Sequence, residues 1–211
     1  MTVKQFEYFY DLTPTDHKQI EQTERKYLHP NSIAPANRTM EWQSRNADIH
    51  IGVRAVGGSE LCGSIEIVPL DAETYDKYLR RNNFDDANFT SADIAQYHNG
   101  GEYYLLFSAI SIAPKYRQTP EVLLRLLQGF YKKLELLRER GIVFLNMCAG
   151  AQTTDGAGFI EKFLDLKWCG VSKSASKVYK FQTDRTDFNA WFARFPEYIE
   201  SYRTKKCAGV E

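Results

Sequence analysis

The sequence predicts an α/β domain built on a mixed sheet, and three stretches carry the prediction. Residues 103–112 (Tyr-Tyr-Leu-Leu-Phe-Ser-Ala-Ile-Ser-Ile) and 142–147 (Ile-Val-Phe-Leu-Asn-Met) are nearly continuous apolar runs, as expected of strands covered on both faces. Between them Leu123, Leu126, Leu127, Phe130, Leu134 and Leu137 fall at helical spacing. Strand, helix and strand then form a βαβ unit with a right-handed crossover and two parallel strands. The third stretch is a hairpin. Ile49, Ile51 and Val53 alternate with polar or small residues, a glycine turn follows at 56–60, and Leu61–Val68 returns to Pro69.

The remaining elements follow in chain order. Residues 6–12 read as a first strand closed at Thr13-Pro14, and Thr15 or Asp16 is placed to cap a helix that His29-Pro30 stops. Residues 31–47 are polar and irregular, with a short helix over 39–45. Residues 71–98 interrupt the alternation as an excursion too long for an ordinary connection, with helix predicted over 71–81 and again over 91–96. It carries the acids Asp71, Glu73, Asp76, Asp85, Asp86 and Asp93 against three bases. Thr119 is an N-cap with Pro120 at the first helical position, and Gly141 closes that helix. After Gly150 a polar loop leads to a short helix holding Phe159, Phe163 and Leu164. Residues 168–171 and 177–181 form a closing antiparallel pair. The tail, 187–203, is an aromatic amphipathic helix that either packs on the domain or builds a homodimer contact.

At 211 residues the chain matches one elaborated domain at roughly 150 residues per domain. That domain spans 1–211, with its core at about 49–182. Lys+Arg and Asp+Glu are balanced at 27 each, so the basic excess of a nucleic-acid binder is missing and no nucleic-acid partner is expected. No apolar run reaches the roughly 18 residues of a membrane span, and the N-terminal residues form no secretory signal. The expected setting is the cytoplasm, with no membrane partner. The four cysteines and four histidines share no ligand spacing, so no metal site is expected, and the histidines read as surface or packing residues.

With Ile112-Ala113-Pro114-Lys115-Tyr116-Arg117 at its centre, this order of elements resembles the GCN5-related N-acetyltransferase (GNAT) superfamily. Residues 159–168 (Phe-Ile-Glu-Lys-Phe-Leu-Asp-Leu-Lys-Trp) are similar to the family's aromatic-Tyr-Glu-Lys-Leu-Gly-Phe passage. The resemblance covers about 49–182. It implies a mostly antiparallel sheet with helices on both faces, whose parallel pair splays apart to receive the arm of acetyl-CoA. The cosubstrate would lie against Ile110, Ile112, Ala113, Lys115, Arg117, Gln118, Thr119, Glu121 and Val122. The family's phosphate loop, Gln/Arg-x-x-Gly-x-Gly/Ala, matches residues 117–122 here. Arg117 is retained, while Pro120 and Val122 replace the small residues and Glu121 adds a negative charge at the helix start.

The implied reaction is acetyl transfer to an amine, on a small molecule or a peptide, by direct attack. It needs a base, an oxyanion donor and an acid for the leaving thiolate. Glu66, mid-strand among apolar residues, is the candidate base. Ser111 is the candidate on the central strand, where the family carries a β-bulge; Ser108 and Ser111 face opposite sides of a regular strand. The family's tyrosine acid is matched by Ile160. Cys148 has no sequence-adjacent activator for covalent chemistry. The acidic excursion is expected to favour a cationic acceptor. Two alternatives stay open: a GNAT-fold binding or regulatory module without turnover, and a transferase of longer acyl chains.

Overall fold

The structure is a computed structural model that describes residues 5–80, 88–172, 176–181 and 187–207. Seven strands form one sheet: β1 (Phe6–Phe9), β2 (His50–Ala55), β3 (Leu61–Leu70), β4 (Glu102–Ile112), β5 (Val143–Ala151), β6 (Lys167–Val171) and β7 (Lys177–Lys180). Their order is β1-β2-β3-β4-β5-β7-β6. Every neighbouring pair is antiparallel except β4 with β5, which the βαβ reading made parallel.

Helices cover both faces. On one lie α1 (Pro14–Glu24), α2 (Ala36–Arg45) and α3 (Ala72–Arg80); on the other α4 (Pro120–Glu139), then α5 (Thr154–Phe159), α6 (Phe188–Phe192) and α7 (Phe195–Lys206). The α4 stripe is the main core: Leu126, Leu127, Phe130 and Leu134 are fully buried against Ile51, Ile65, Leu105 and Phe107. Cutting any of these leucines to alanine costs about 2–5 kcal/mol. The aromatic tail packs here too, with Phe195 4.8 Å from the Phe163 ring and 5.6 Å from Phe130. A second cluster on the opposite face joins Trp42, Tyr75, Tyr78, Phe89 and Ile94 to Val68, Leu70, Leu106 and Cys148.

Several boundaries depart from the sequence reading, each for a local reason. Thr13, not Thr15 or Asp16, caps α1, because Asp16 at the third helical position closes a capping box with it. β1 stops at Phe9, and α1 stops at Glu24 rather than near Leu28. The helix predicted over 39–45 begins at Ala36, whose N–H is taken by the Glu21 carboxylate of α1 at 2.8 Å. Pro69 does not end β3. Pairing with β2 stops at Glu66, so the N–H that proline lacks lies on an unpaired stretch, while its carbonyl accepts Ala95 N–H. The tail is two helices broken at 193–194, and the helix after Gly150 passes into a π turn over Ile160–Leu164 that ends on Asp165 in the left-handed region (φ +58°). The second helix of the excursion is a short 3-10 turn, Ser91–Asp93.

The excursion is structural in its described part. Asp71 accepts the Thr74 N–H, Glu73 and Asp76 pair with Lys77 and Arg80 one turn on, and Asp93 caps Thr90. Asp85 and Asp86 lie outside the described residues.

Candidate active site

The centre of the sheet opens where β4 leaves β5. Their parallel register runs from Glu102 opposite Val143 to Phe107 opposite Ala149, and there it stops. From Ser108 on, β4 keeps only β3, while the end of β5 pairs with β7. One extra residue marks the parting: Glu66 faces Ala109 and Ile67 faces Phe107, so Ser108 is a β-bulge. The bulge resets the alternation. Ala109 and Ser111 now lie with Glu66 and Ser64 on the α1 side, and Ile110 and Ile112 turn toward α4.

The same ladder decides where backbone groups point. Ala113 N–H donates to the Cys62 carbonyl at 2.9 Å. Hydrogen-bonding residues alternate along an antiparallel pair, so the N–H and C=O of Ile110 and Ile112 point away from β3 into the opening. Both residues were expected beside the cosubstrate, and their backbone offers an extended ligand one strand edge.

At the mouth of the opening a 3-10 turn, Pro114–Tyr116, leads into α4. Thr119 occupies the N-cap position without a side-chain cap bond, and Pro120 is the first helical residue. The amides of Gln118 and Glu121 have no acceptor among the described residues, whereas those of Arg117, Thr119 and Val122 donate within the turn. Val122 is the clear correction: its side chain is fully buried in the α4 core and its amide is engaged by Thr119, so it presents nothing to a ligand. Lys115 and Arg117 are exposed. Lys115 pairs with Glu60, and the Arg117 guanidinium lies 3.9 Å from the centre of the Tyr27 ring.

Under α1 the opening becomes a polar pocket. An outer cavity of about 230 Å³ is bounded by Gln19, Thr23, Glu60, Ser64, Ser111 and Ala113. A smaller inner cavity shares Ile20 and Ser64 with it and reaches Glu24, Glu66, Ser108 and Ala109. The helix above is suited to this: Ile20 is the only strongly apolar residue of α1, and its inward face carries His17 and Glu24, both buried. Glu24 accepts the Ser111 hydroxyl at 3.0 Å. Glu66, 8% exposed, is bonded to His50 Nε2 at 2.7 Å. Glu66 and Ser111, the two residues predicted to act chemically, thus lie on one face of the sheet beside the bulge, Ser111 at the outer cavity and Glu66 at the inner one.

The position matched to the tyrosine acid holds no donor, since Ile160 is buried. Tyr179 lies in the core opposite Ala149, and burial together with the nearby Glu161 carboxylate lifts its pKa to about 12. Cys148 is buried in the second cluster and lines neither cavity.

No protein-family model matches the chain, and no curated protein matches it by sequence. Solved structures do match. The loading GNATL domain of CurA from Lyngbya majuscula aligns with a TM-score of 0.52 at 10% identity, over 84% of this chain and 97% of that one. An acetyltransferase of the GNAT family from Streptococcus agalactiae gives 0.50 at 13% identity, over 83% and 94%. The NatC complex bound to Gag peptide and CoA gives 0.50 at 9% identity, over 83% and 96%. The chain has the GNAT fold.

Within the GNAT fold the missed residues are Glu24, His17 and His50. Glu24 and His17 sit on a helix too polar to show a core-facing stripe. His50 left no direct signal either: the pair next to the turn, Arg54 with Leu61, would set His50 opposite Ile65, and a bulge at Cys62 shifts it to Glu66.

Proposed function

We propose that the chain is a CoA-dependent acyltransferase that moves an acyl group, acetyl in the simplest case, onto an amine. The observation that carries this reading is the coincidence of two features at Ser108. There β4 leaves β5, and there Glu66, buried, and Ser111, half-buried, face two adjoining cavities under α1. A solved structure of the same fold, the NatC complex, is bound to CoA and a peptide, which supports the donor class.

The residues fit such a donor unevenly. Ile110 and Ile112 offer backbone groups to its extended arm; Gln118 and Glu121 offer amides, and Arg117 a charge, to its phosphates. Pro120 and Val122 offer neither. Bound acyl-CoA supplies an activated acyl carbon and a thiolate leaving group. Glu66 accepts the proton that the amine nitrogen must lose as it bonds to that carbon. A backbone N–H of β4 facing the opening stabilises the oxyanion that develops on the carbonyl oxygen. Ser111, held on Glu24, fixes one wall of the acceptor pocket.

Pro120, the buried Val122 and the buried Ile160 favour a second reading, a GNAT-fold module that binds without turnover. One titration separates the two. Calorimetry with acetyl-CoA, with desulfo-CoA and ATP as controls, is expected to show micromolar binding of both CoA forms, and thiol release over an amine panel should follow. Absence of CoA binding would overturn the acyltransferase reading; binding with thiol release at the blank rate would favour the module.

A further inference from the structure

Behind Glu66 stands a buried chain of polar side chains that nothing above has used. Four elements meet in it: Glu66 from β3, His50 from β2, His17 from α1, and Thr39 with Gln43 from α2. His50 is 1% and His17 2% exposed. Glu66 Oε2 lies 2.7 Å from His50 Nε2, and the rings of His50 and His17 meet edge to face at 4.9 Å and 87°. His17 is pinned at both nitrogens, Nδ1 at 2.8 Å from Thr39 Oγ1 and Nε2 at 3.2 Å from Gln43 Oε1.

The partners assign the protons. Gln43 Nε2 donates to the Leu12 carbonyl and to Asp11, which orients its amide so that Oε1 accepts from His17 Nε2–H. Thr39 Oγ1 lies 2.8 Å from His17 Nδ1 and 3.1 Å from the Ala36 carbonyl with one hydroxyl proton between them, so the charge of the His17 ring is set by its burial. Burial, with His50 beside it, holds its pKa down at about 4. His50 Nδ1 is buried without a partner, so a proton there has no acceptor, while a carboxylate waits at Nε2. The charged and titratable groups facing this pair are Glu66 from β3 and His17 and Asp16 from α1; α2 contributes only the neutral Thr39 and Gln43.

We propose that His50, fixed as the Nε2–H tautomer and wedged by neutral His17, is the positioning residue of Glu66: it holds one carboxylate oxygen and leaves the other to take the proton of the acceptor amine. The proposal rests on the acyl-transfer reading and adds to it. A carboxylate in a cavity is free to rotate, and a misplacement of about 1 Å is worth roughly 100-fold in rate. The His50 donor removes that freedom.

The test has two arms. In the unsubstituted protein, ¹⁵N-edited NMR of the histidine rings should show His50 as a single Nε2–H tautomer across neutral pH. An Nδ1–H tautomer or an imidazolium would overturn the proposal, whether or not an amine is turned over. In the second arm His50→Phe, which keeps a planar ring without a donor, is compared with His50→Gln, which keeps a side-chain N–H. His50→Phe should lower kcat about 100-fold with CoA affinity unchanged. His50→Gln should restore most of kcat. Equal kcat in the two variants would overturn the positioning role alone. Blank-rate thiol release by the unsubstituted protein over the amine panel would overturn acyl transfer and the positioning role with it.

Discussion

The two sides of the opening are built on opposite plans. On the acceptor side the polar groups are wholly or partly buried and, His50 Nδ1 excepted, bonded to one another: Glu66 on His50, His17 between Thr39 and Gln43, Ser111 on Glu24. On the donor side the charged groups are exposed and lean on aromatic rings, Arg117 on the exposed Tyr27 and Lys115 near the buried Tyr116. A buried polar network is costly unless every member is paired, and it fixes geometry when it is. An exposed cation fixes little and is screened by salt. On the proposed acyl-transfer reading, chemistry falls to the buried side and adjustable affinity to the exposed one.

The largest expected effect breaks the acceptor side. Glu66→Gln keeps the shape and removes the proton acceptor, so amine-dependent thiol release should fall about 10²–10⁴-fold with CoA affinity unchanged. A fall below tenfold would take the base role from Glu66.

Next comes acid. His17 is neutral when folded, with its pKa lowered from 6.5 to about 4, and the unfolded chain binds that proton more readily. Its contribution to stability is therefore complete above about pH 6.5 and is lost as pH falls toward 4. Near 1.36 kcal/mol per unit the loss is about 3 kcal/mol. Urea unfolding at pH 7 and pH 4.5 should show the drop, and His17→Gln should flatten it; identical slopes would mean that His17 is not held neutral.

The donor side should respond less. Arg117→Ala is expected to weaken CoA binding about tenfold, as for one charge-assisted hydrogen bond, and more at low salt than at high. Unchanged affinity would remove Arg117 from the phosphate site. The smallest effect is a gain: Pro120→Gly restores an N–H at the start of α4 and should tighten CoA by a few-fold, about 0.5–1 kcal/mol. Calorimetry reads both.

What the sequence made legible follows the same division. The apolar runs of β4 and β5 and the leucine stripe of α4 place the parallel pair, because burial on both faces leaves one pattern. Glu66 and Ser111 were legible as polar residues inside such runs. Boundaries were less so, because Thr13 against Asp16, or Pro69 inside β3, turns on single partners such as Ala95. Glu24 and His17 were not legible. They lie on a helix facing a polar pocket, where the hydrophobic period that marks a buried face does not apply. Val122 was misassigned because a motif position says nothing of which way its side chain turns. The turn inside 159–168 was not legible either: the helix passes into a π turn and ends on Asp165 in the left-handed region, which non-glycine residues seldom adopt.

The bulge at Ser108 also makes the site sensitive to counting. Were the same sequence to run through Ser108 as regular strand, every residue beyond Phe107 would slide one place along β3, with Ser108 opposite Glu66 and Ile110 opposite Ser64. That slip would exchange the two sets of side chains, sending Ile110 and Ile112 toward α1 and Ser111 against α4. Deleting one residue among 108–110 would instead remove the surplus and leave Ser111 opposite Ser64. The bulge is therefore what gives this sequence a polar wall beside Glu66, and its loss without a compensating deletion is a change of chemistry.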